Sequence, residues 1–99
     1  MAAAEAGTPC YTYMVRCADG TLYTGWTNDL SKRITAHNSG KGAKYTAARS
    51  PVTLVYVEQH EDRISAMKRE YSVKHLTRSE KESLIGSELN ILDRPHDVN

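Results

Sequence analysis

The chain has 99 residues, of which 39% are hydrophobic and 25% charged, with a formal net charge of +1 and a mean hydropathy of −0.58. That length suits one domain with a modest core and no second module, and the composition is that of a soluble globular protein. No apolar run approaches the roughly 20 residues of a bilayer-spanning helix. The Ala-rich start carries Glu5 and no basic segment, so it does not read as a signal peptide, and the expected address is the cytoplasm.

Residues 1–9, rich in Ala with Gly and Pro and without periodicity, read as a flexible lead-in to a domain over residues 10–86. A first strand is expected over residues 11–16 and a second over 21–25, joined at Asp19-Gly20, a pair that tolerates the backbone angles of a tight hairpin. Cys10 and Cys17, the only cysteines, are an odd number of residues apart on this first strand. They therefore point to opposite faces and read as free thiols, neither a disulfide nor a zinc site. A first helix follows over residues 29–37, with Thr27 or Asn28 as cap and a stop at Asn38-Ser39-Gly40. Residues 40–50 read as an exposed basic loop. The run Val52-Thr53-Leu54-Val55-Tyr56-Val57 is β-branched and almost wholly apolar, which predicts a central strand.

Asp62 is expected to cap a second helix on which Ile64, Met67, Tyr71 and Lys74 fall at helical spacing. Thr77-Arg78-Ser79-Glu80 is a capping box opening a third helix that ends near Gly86. Residues 87–99 form an acidic tail. The order ββαβαα describes a small α/β domain of the α+β kind: a three-stranded, mainly antiparallel sheet flanked by helices.

Charge is unevenly distributed. No acidic residue occurs between Leu30 and Val57, where Lys32, Arg33, Lys41, Lys44 and Arg49 lie, whereas the stretch from Ser79 onward holds Glu80, Glu82, Glu88, Asp93 and Asp97. The middle of the chain therefore suits an anionic partner, although a loop kept soluble by lysines gives the same pattern.

Tyr13 and Tyr23 from adjacent strands, Arg33 and His37 four apart on the first helix, and Glu70 on the second can be brought to one cleft. Same-face neighbours on paired strands lie about 5 Å apart and an i, i+4 helical pair rises about 6 Å. The set suits phosphodiester hydrolysis: Arg binds phosphate bidentately, one carboxylate can hold hydrated Mg²⁺, and Tyr or His moves a proton to or from water. Taken singly, each residue has a plainer role. Strand tyrosines usually pack, Arg33 and His37 fit a solvated helix face, and Glu70 with Lys74 makes a surface ion pair worth a few tenths of a kcal/mol.

The ordered set Tyr11-Thr12-Tyr13, Tyr23-Thr24-Gly25, the run from Asn28 to Arg33, then His37 and Glu70 resembles the GIY-YIG nuclease superfamily. The likeness is greatest to its small single-domain bacterial members, which share the run Asn38 to Thr46. Tyr11 stands where the first triplet has glycine and Thr24 where the second has isoleucine; neither position supplies a catalytic side chain.

The resemblance implies that Tyr13 and Tyr23 are the motif tyrosines, one of which assists deprotonation of the attacking water. It implies that Arg33 stabilises charge on the scissile phosphate, that His37 lies near the nucleophile, and that Glu70 binds one divalent ion, Mg²⁺ or Mn²⁺. The expected function is a metal-dependent endonuclease acting on nucleic acid, DNA ahead of RNA. Lys32, Lys41, Lys44 and Arg49 are expected to bind phosphates; with no separate recognition module, low intrinsic sequence specificity is expected, and a targeting protein partner is left open. The alternative is a non-catalytic nucleic-acid-binding module on the same scaffold. A thiol-redox protein is disfavoured, since no Cys-x-x-Cys occurs.

Overall fold

A computed structural model describes residues 8–92. The expectations for residues 1–7 and 93–99, the start of the lead-in and the end of the acidic tail, lie outside the described residues. The elements run β1 (Cys10–Arg16), β2 (Leu22–Thr27), α1 (Leu30–Asn38), α2 (Lys44–Ala47), β3 (Thr53–His60), α3 (Arg63–Lys74) and α4 (Arg78–Ile85). This is the expected ββαβαα order, with one short helical turn, α2, added inside the basic loop.

Local chemistry accounts for the boundaries. Gly20 takes φ +88° in the hairpin turn, where the Thr21 amide and hydroxyl both donate to Asp19 Oδ1. The cap of α1 is Asp29, not Thr27 or Asn28: its Oδ1 accepts the Lys32 amide at 3.1 Å, while Thr27 Oγ1 accepts the Asp29 amide. The carboxylate thus sits one residue later than expected, with Thr27 orienting the residue that caps. Helix α1 ends as expected at Gly40, φ +83°, where the Gly40 and Lys41 amides donate to His37 and Ala36 carbonyls. Asp62 caps α3, and Thr77 with Glu80 forms the complete capping box of α4.

The sheet order is β2-β1-β3, both pairings antiparallel, so β1 is the central strand. The expectation that the apolar third strand is central is therefore corrected: β3 lies at an edge. Its composition follows from burial on both faces. A register shift opposite Met14 and Val15 lets Val55 join Tyr56 on one face, while Leu54 packs on the other. The backbone of β3 is also covered. Asn90 accepts the Val57 amide and donates to the Val55 and Ile85 carbonyls, and the Ile91 amide donates to Val57. A strand whose faces and edge are all occupied reads in sequence like an interior one.

One core cluster, Tyr13, Val15, Cys17 and Val52, packs beneath α1 through Leu30 and Ile34. The other, Met14, Tyr56 and Val73, packs against Leu76, Leu84 and Ile85. Both cysteines are buried and free. Helix α3 buries Ala66 and Val73, whereas Ile64, Met67 and Tyr71 of its helical stripe are exposed. The Thr12 hydroxyl donates to the Ala66 carbonyl at 2.9 Å, fixing α3 close to the central strand. Ala66 is fully buried at this contact, and the larger apolar residues of the stripe face outward.

Candidate active site

Tyr13 lies opposite Gly25 on edge strand β2. A Cβ on Gly25 would stand 2.6 Å from the Tyr13 hydroxyl, so the missing side chain is what lets the phenol cross β2 toward the sheet's edge. There His37 Nε2 is 2.7 Å from the hydroxyl, and Arg33 Nε donates to the same oxygen at 3.4 Å. The i, i+4 spacing of Arg33 and His37 thus delivers both to one phenol.

His37 is not on a solvated helix face. It is fully buried, with Nδ1 2.7 Å from Thr46 Oγ1 and the rings of Tyr13 and Tyr23 set edge-on to it. Gly42 closes over the imidazole, where a Cβ would collide with Nδ1. Burial first, then the Arg33 charge, holds the His37 pKa below its ordinary value, favouring the neutral ring. Burial likewise raises the Tyr13 phenol, against the lowering effect of the Arg33 hydrogen bond and charge. Hydrogen bonding to Tyr13 keeps the Arg33 guanidinium above its ordinary value, with Tyr23 a further contributor.

Tyr23 is half-buried and stacks on Tyr45 at a centroid separation of 6.0 Å. The Arg49 guanidinium lies 3.9 Å over the Tyr45 ring and pairs with Asp19 at 3.0 Å. Arg49 is therefore already engaged, whereas Lys32, Lys41 and Lys44 are exposed. Lys32 and Arg33 line a groove of about 270 Å³ with Thr27, Asn28, Asp29 and Ala36.

Glu70 projects from α3, which packs across β1 and β2. Its carboxylate pairs with Lys74 Nζ at 3.4 Å, as the spacing allows, and its charge contributes to raising the Tyr13 pKa. Glu70 thus belongs to the electrostatic surroundings of the tyrosine. Among the described residues no three His, Cys, Asp or Glu side chains converge as a metal cluster. A single half-buried carboxylate would fit a hydrated Mg²⁺-type ion that keeps most of its waters, with Lys74 as its competitor.

Sequence reasoning missed the supporting parts: Thr46 on His37, Gly42 over it, Gly25 beneath Tyr13, and Tyr45 against Tyr23. The available signal was their position inside or beside the motif runs. Thr24, in contrast, is buried with its hydroxyl unpartnered among the described residues, at the place where the resembling motif has isoleucine.

A small antiparallel sheet flanked by helices, with Tyr13 bound to Arg33 and His37 at its β2 edge, is a nuclease-like fold. The chain belongs to the GIY-YIG family: the model of the GIY-YIG catalytic domain matches residues 9–83. It is 57% identical over 77 residues to a UPF0213 protein of Clostridium perfringens, covering 78% of this chain and 83% of that one. A UPF0213 protein of Halobacterium salinarum is 49% identical over 74 residues, covering 75% of this chain and 96% of the relative. The solution NMR structure of a UPF0213 protein from Bacillus halodurans superposes with a TM-score of 0.54 at 46% identity, covering 82% of this chain and 86% of that one. Among the described residues no helix is long and apolar enough to cross a membrane.

Proposed function

We propose that this protein is a metal-dependent endonuclease that hydrolyses nucleic acid phosphodiesters, DNA ahead of RNA, with structure-directed or weakly sequence-specific choice of site. The observation that carries the reading is the Tyr13 hydroxyl held between Arg33 at 3.4 Å and His37 at 2.7 Å, within the field of Glu70. A packing tyrosine needs neither a buried imidazole nor a guanidinium on its oxygen.

In this reading Lys32, Lys41, Lys44 and, more weakly, Arg49 bring the backbone phosphates to the groove. Arg33 grips the scissile phosphate and stabilises charge as it builds. Tyr13 or Tyr23, with His37 behind, takes a proton from the attacking water. Glu70 would hold one divalent ion, Mg²⁺ or Mn²⁺, whose charge when bound stabilises the leaving 3′-oxygen. We place this activity in the cytoplasm.

The test is to incubate labelled branched, nicked and single-stranded substrates with and without Mg²⁺ or Mn²⁺, measuring binding beside cleavage. Glu70→Ala should lose turnover while binding is kept or tightened, because a negative charge has left a face that meets phosphates. Arg33→Ala should lose on the order of 10² to 10³ in rate with a modest loss of binding. Wild-type protein that binds but never cleaves would establish the non-catalytic module instead.

A further inference from the structure

We propose that Thr46 is a positioning residue: it fixes the tautomer of His37 so that Nε2 accepts the Tyr13 hydroxyl proton, which makes Tyr13, not Tyr23, the tyrosine that draws a proton from water. The assignment of Tyr13 rests on the nuclease reading above; the assignment of the tautomer does not.

Thr46 Oγ1 lies 3.1 Å from the Ala43 carbonyl, an atom that can only accept, so this contact uses the single Thr46 hydroxyl proton. Toward His37 the same oxygen, 2.7 Å from Nδ1, is then an acceptor, and Nδ1 carries the ring proton. A neutral imidazole has one N–H, which leaves Nε2 as a lone pair facing the Tyr13 hydroxyl at 2.7 Å. Tyr13 donates to His37 and accepts from Arg33 Nε, and every proton in the chain has an acceptor.

The opposite tautomer satisfies less. With Nε2 protonated, Tyr13 would accept from both His37 and Arg33 and would need a further acceptor for its own proton. Thr46 would have to donate to Nδ1, turning its contact with the Ala43 carbonyl into two facing acceptors. Losing the hydrogen bond to the Ala43 carbonyl costs about 0.5 to 1.5 kcal/mol, which favours the first arrangement. Tyr23 meets His37 through its ring, with centroids 5.3 Å apart, and has no such bond to an imidazole nitrogen.

The consequence is a directed transfer. Tyr13 passes its proton to His37 Nε2 as it takes one from the attacking water, so the phenol is regenerated and His37 becomes imidazolium. The water oxygen forms its bond to phosphorus while the bond to the leaving ester oxygen breaks, and that oxygen takes a proton from solvent. His37 then releases its extra proton back through Tyr13, restoring the starting state. Arg33, donating to the Tyr13 oxygen, stabilises the negative charge that develops there.

The full chain, labelled with ¹⁵N in its histidine rings, gives the tautomer directly by NMR, with the His37 signals identified through His37→Gln. The expected wild-type result is a protonated Nδ1 and a lone-pair Nε2; a protonated Nε2 overturns the role of Thr46 while leaving the nuclease reading intact. Thr46→Val should populate the other tautomer and lower kcat on the order of tenfold to a hundredfold with KM little changed, and Thr46→Ser should restore both. A folded Thr46→Val protein with the wild-type tautomer and kcat also overturns it. Should Thr46→Val not fold, the wild-type spectrum and Thr46→Ser still decide the tautomer. Absence of any wild-type cleavage, with Nδ1 protonated, removes the nuclease reading and the role of Tyr13 in it but upholds Thr46 as the residue that orients His37.

Discussion

At the scale of single residues, Gly25 shows how a position without a side chain can shape a site. The Tyr13 phenol occupies the space that a Cβ at Gly25 would need, at 2.6 Å from the hydroxyl. Gly25→Ala should therefore push the phenol off His37 and Arg33. The expected outcome is a destabilisation of about 1 to 3 kcal/mol by overpacking, read from urea unfolding, together with a loss of cleavage far larger than that stability change explains. Wild-type turnover in Gly25→Ala would show that the position of the Tyr13 hydroxyl is irrelevant. The glycine itself was legible as the last letter of a motif triplet, but its reason was not, because the clash comes from a residue on another strand. His37 shows the same limit. Its spacing from Arg33 placed the two on one face, yet its burial depends on Gly42 and Thr46, which a turn of backbone folds over it.

At the scale of elements, boundaries followed local chemistry and were legible wherever a cap or a turn carried the signal. The Asp19-Gly20 hairpin, the Gly40 stop, the Asp62 cap and the Thr77 capping box needed no tertiary information. The place of β3 did need it, since apolar faces do not say which backbone edge is paired. Asn90, far along the chain, supplies the cover by bonding to Val55, Val57 and Ile85. Asn90→Ala should strip that cover and cost about 1 to 3 kcal/mol, because the amide and carbonyls it serves are left to find water. The strand concerned lies on the far side of β1 from the β2 edge where Tyr13 emerges, so cleavage per folded molecule should stay within about twofold of wild type. Unfolding measurements beside activity at a temperature where both proteins are folded check this separation. On α3 the stripe Ile64, Met67 and Tyr71 was correctly read as helical, but periodicity could not reveal that Ala66 and Val73 set the contact face.

At the scale of the whole molecule, pH and salt report on different parts of the charge distribution. Burial and Arg33 depress the His37 pKa, and the groups facing the ring are Tyr13, Tyr23, Arg33 and Thr46, none of them a carboxylate in contact with it. The unfolded chain therefore binds a proton at His37 more readily than the folded one, and stability from this group is present above the ordinary histidine pKa of about 6.5 and lost as pH falls below it. Glu82 contributes lower down: hydrogen bonds from Arg16 and Arg78 bring its carboxyl to about 2, so its contribution is present above the ordinary carboxylate value and disappears as pH falls toward 2. A His37→Gln variant should show a flatter stability profile between pH 7 and 5 and an unchanged fall in the acid range; equal slopes in the upper range would contradict a buried neutral imidazole.

Salt reports instead on the acid-free interval from Leu30 to Val57, whose overall sign the sequence made plain but whose free charges it did not. Lys32 lines the groove beside Arg33, and Lys41 and Lys44 are exposed on the segment that closes over His37, whereas Arg49 is held by Asp19 at 3.0 Å and lies on Tyr45. Each lysine that meets a phosphate releases counterions, so Lys32→Gln, Lys41→Gln and Lys44→Gln should each weaken binding and make the logarithmic salt dependence shallower by about 0.7 to 0.9. Arg49→Gln should change that slope less, because Asp19 already offsets its charge, and should act mainly by loosening Tyr45 against Tyr23. Titrations of labelled single- and double-stranded DNA across a salt series measure the four slopes. Equal slopes for Arg49→Gln and the lysine variants would mean that Asp19 releases Arg49 to the backbone, and binding insensitive to salt would remove the patch as a phosphate surface.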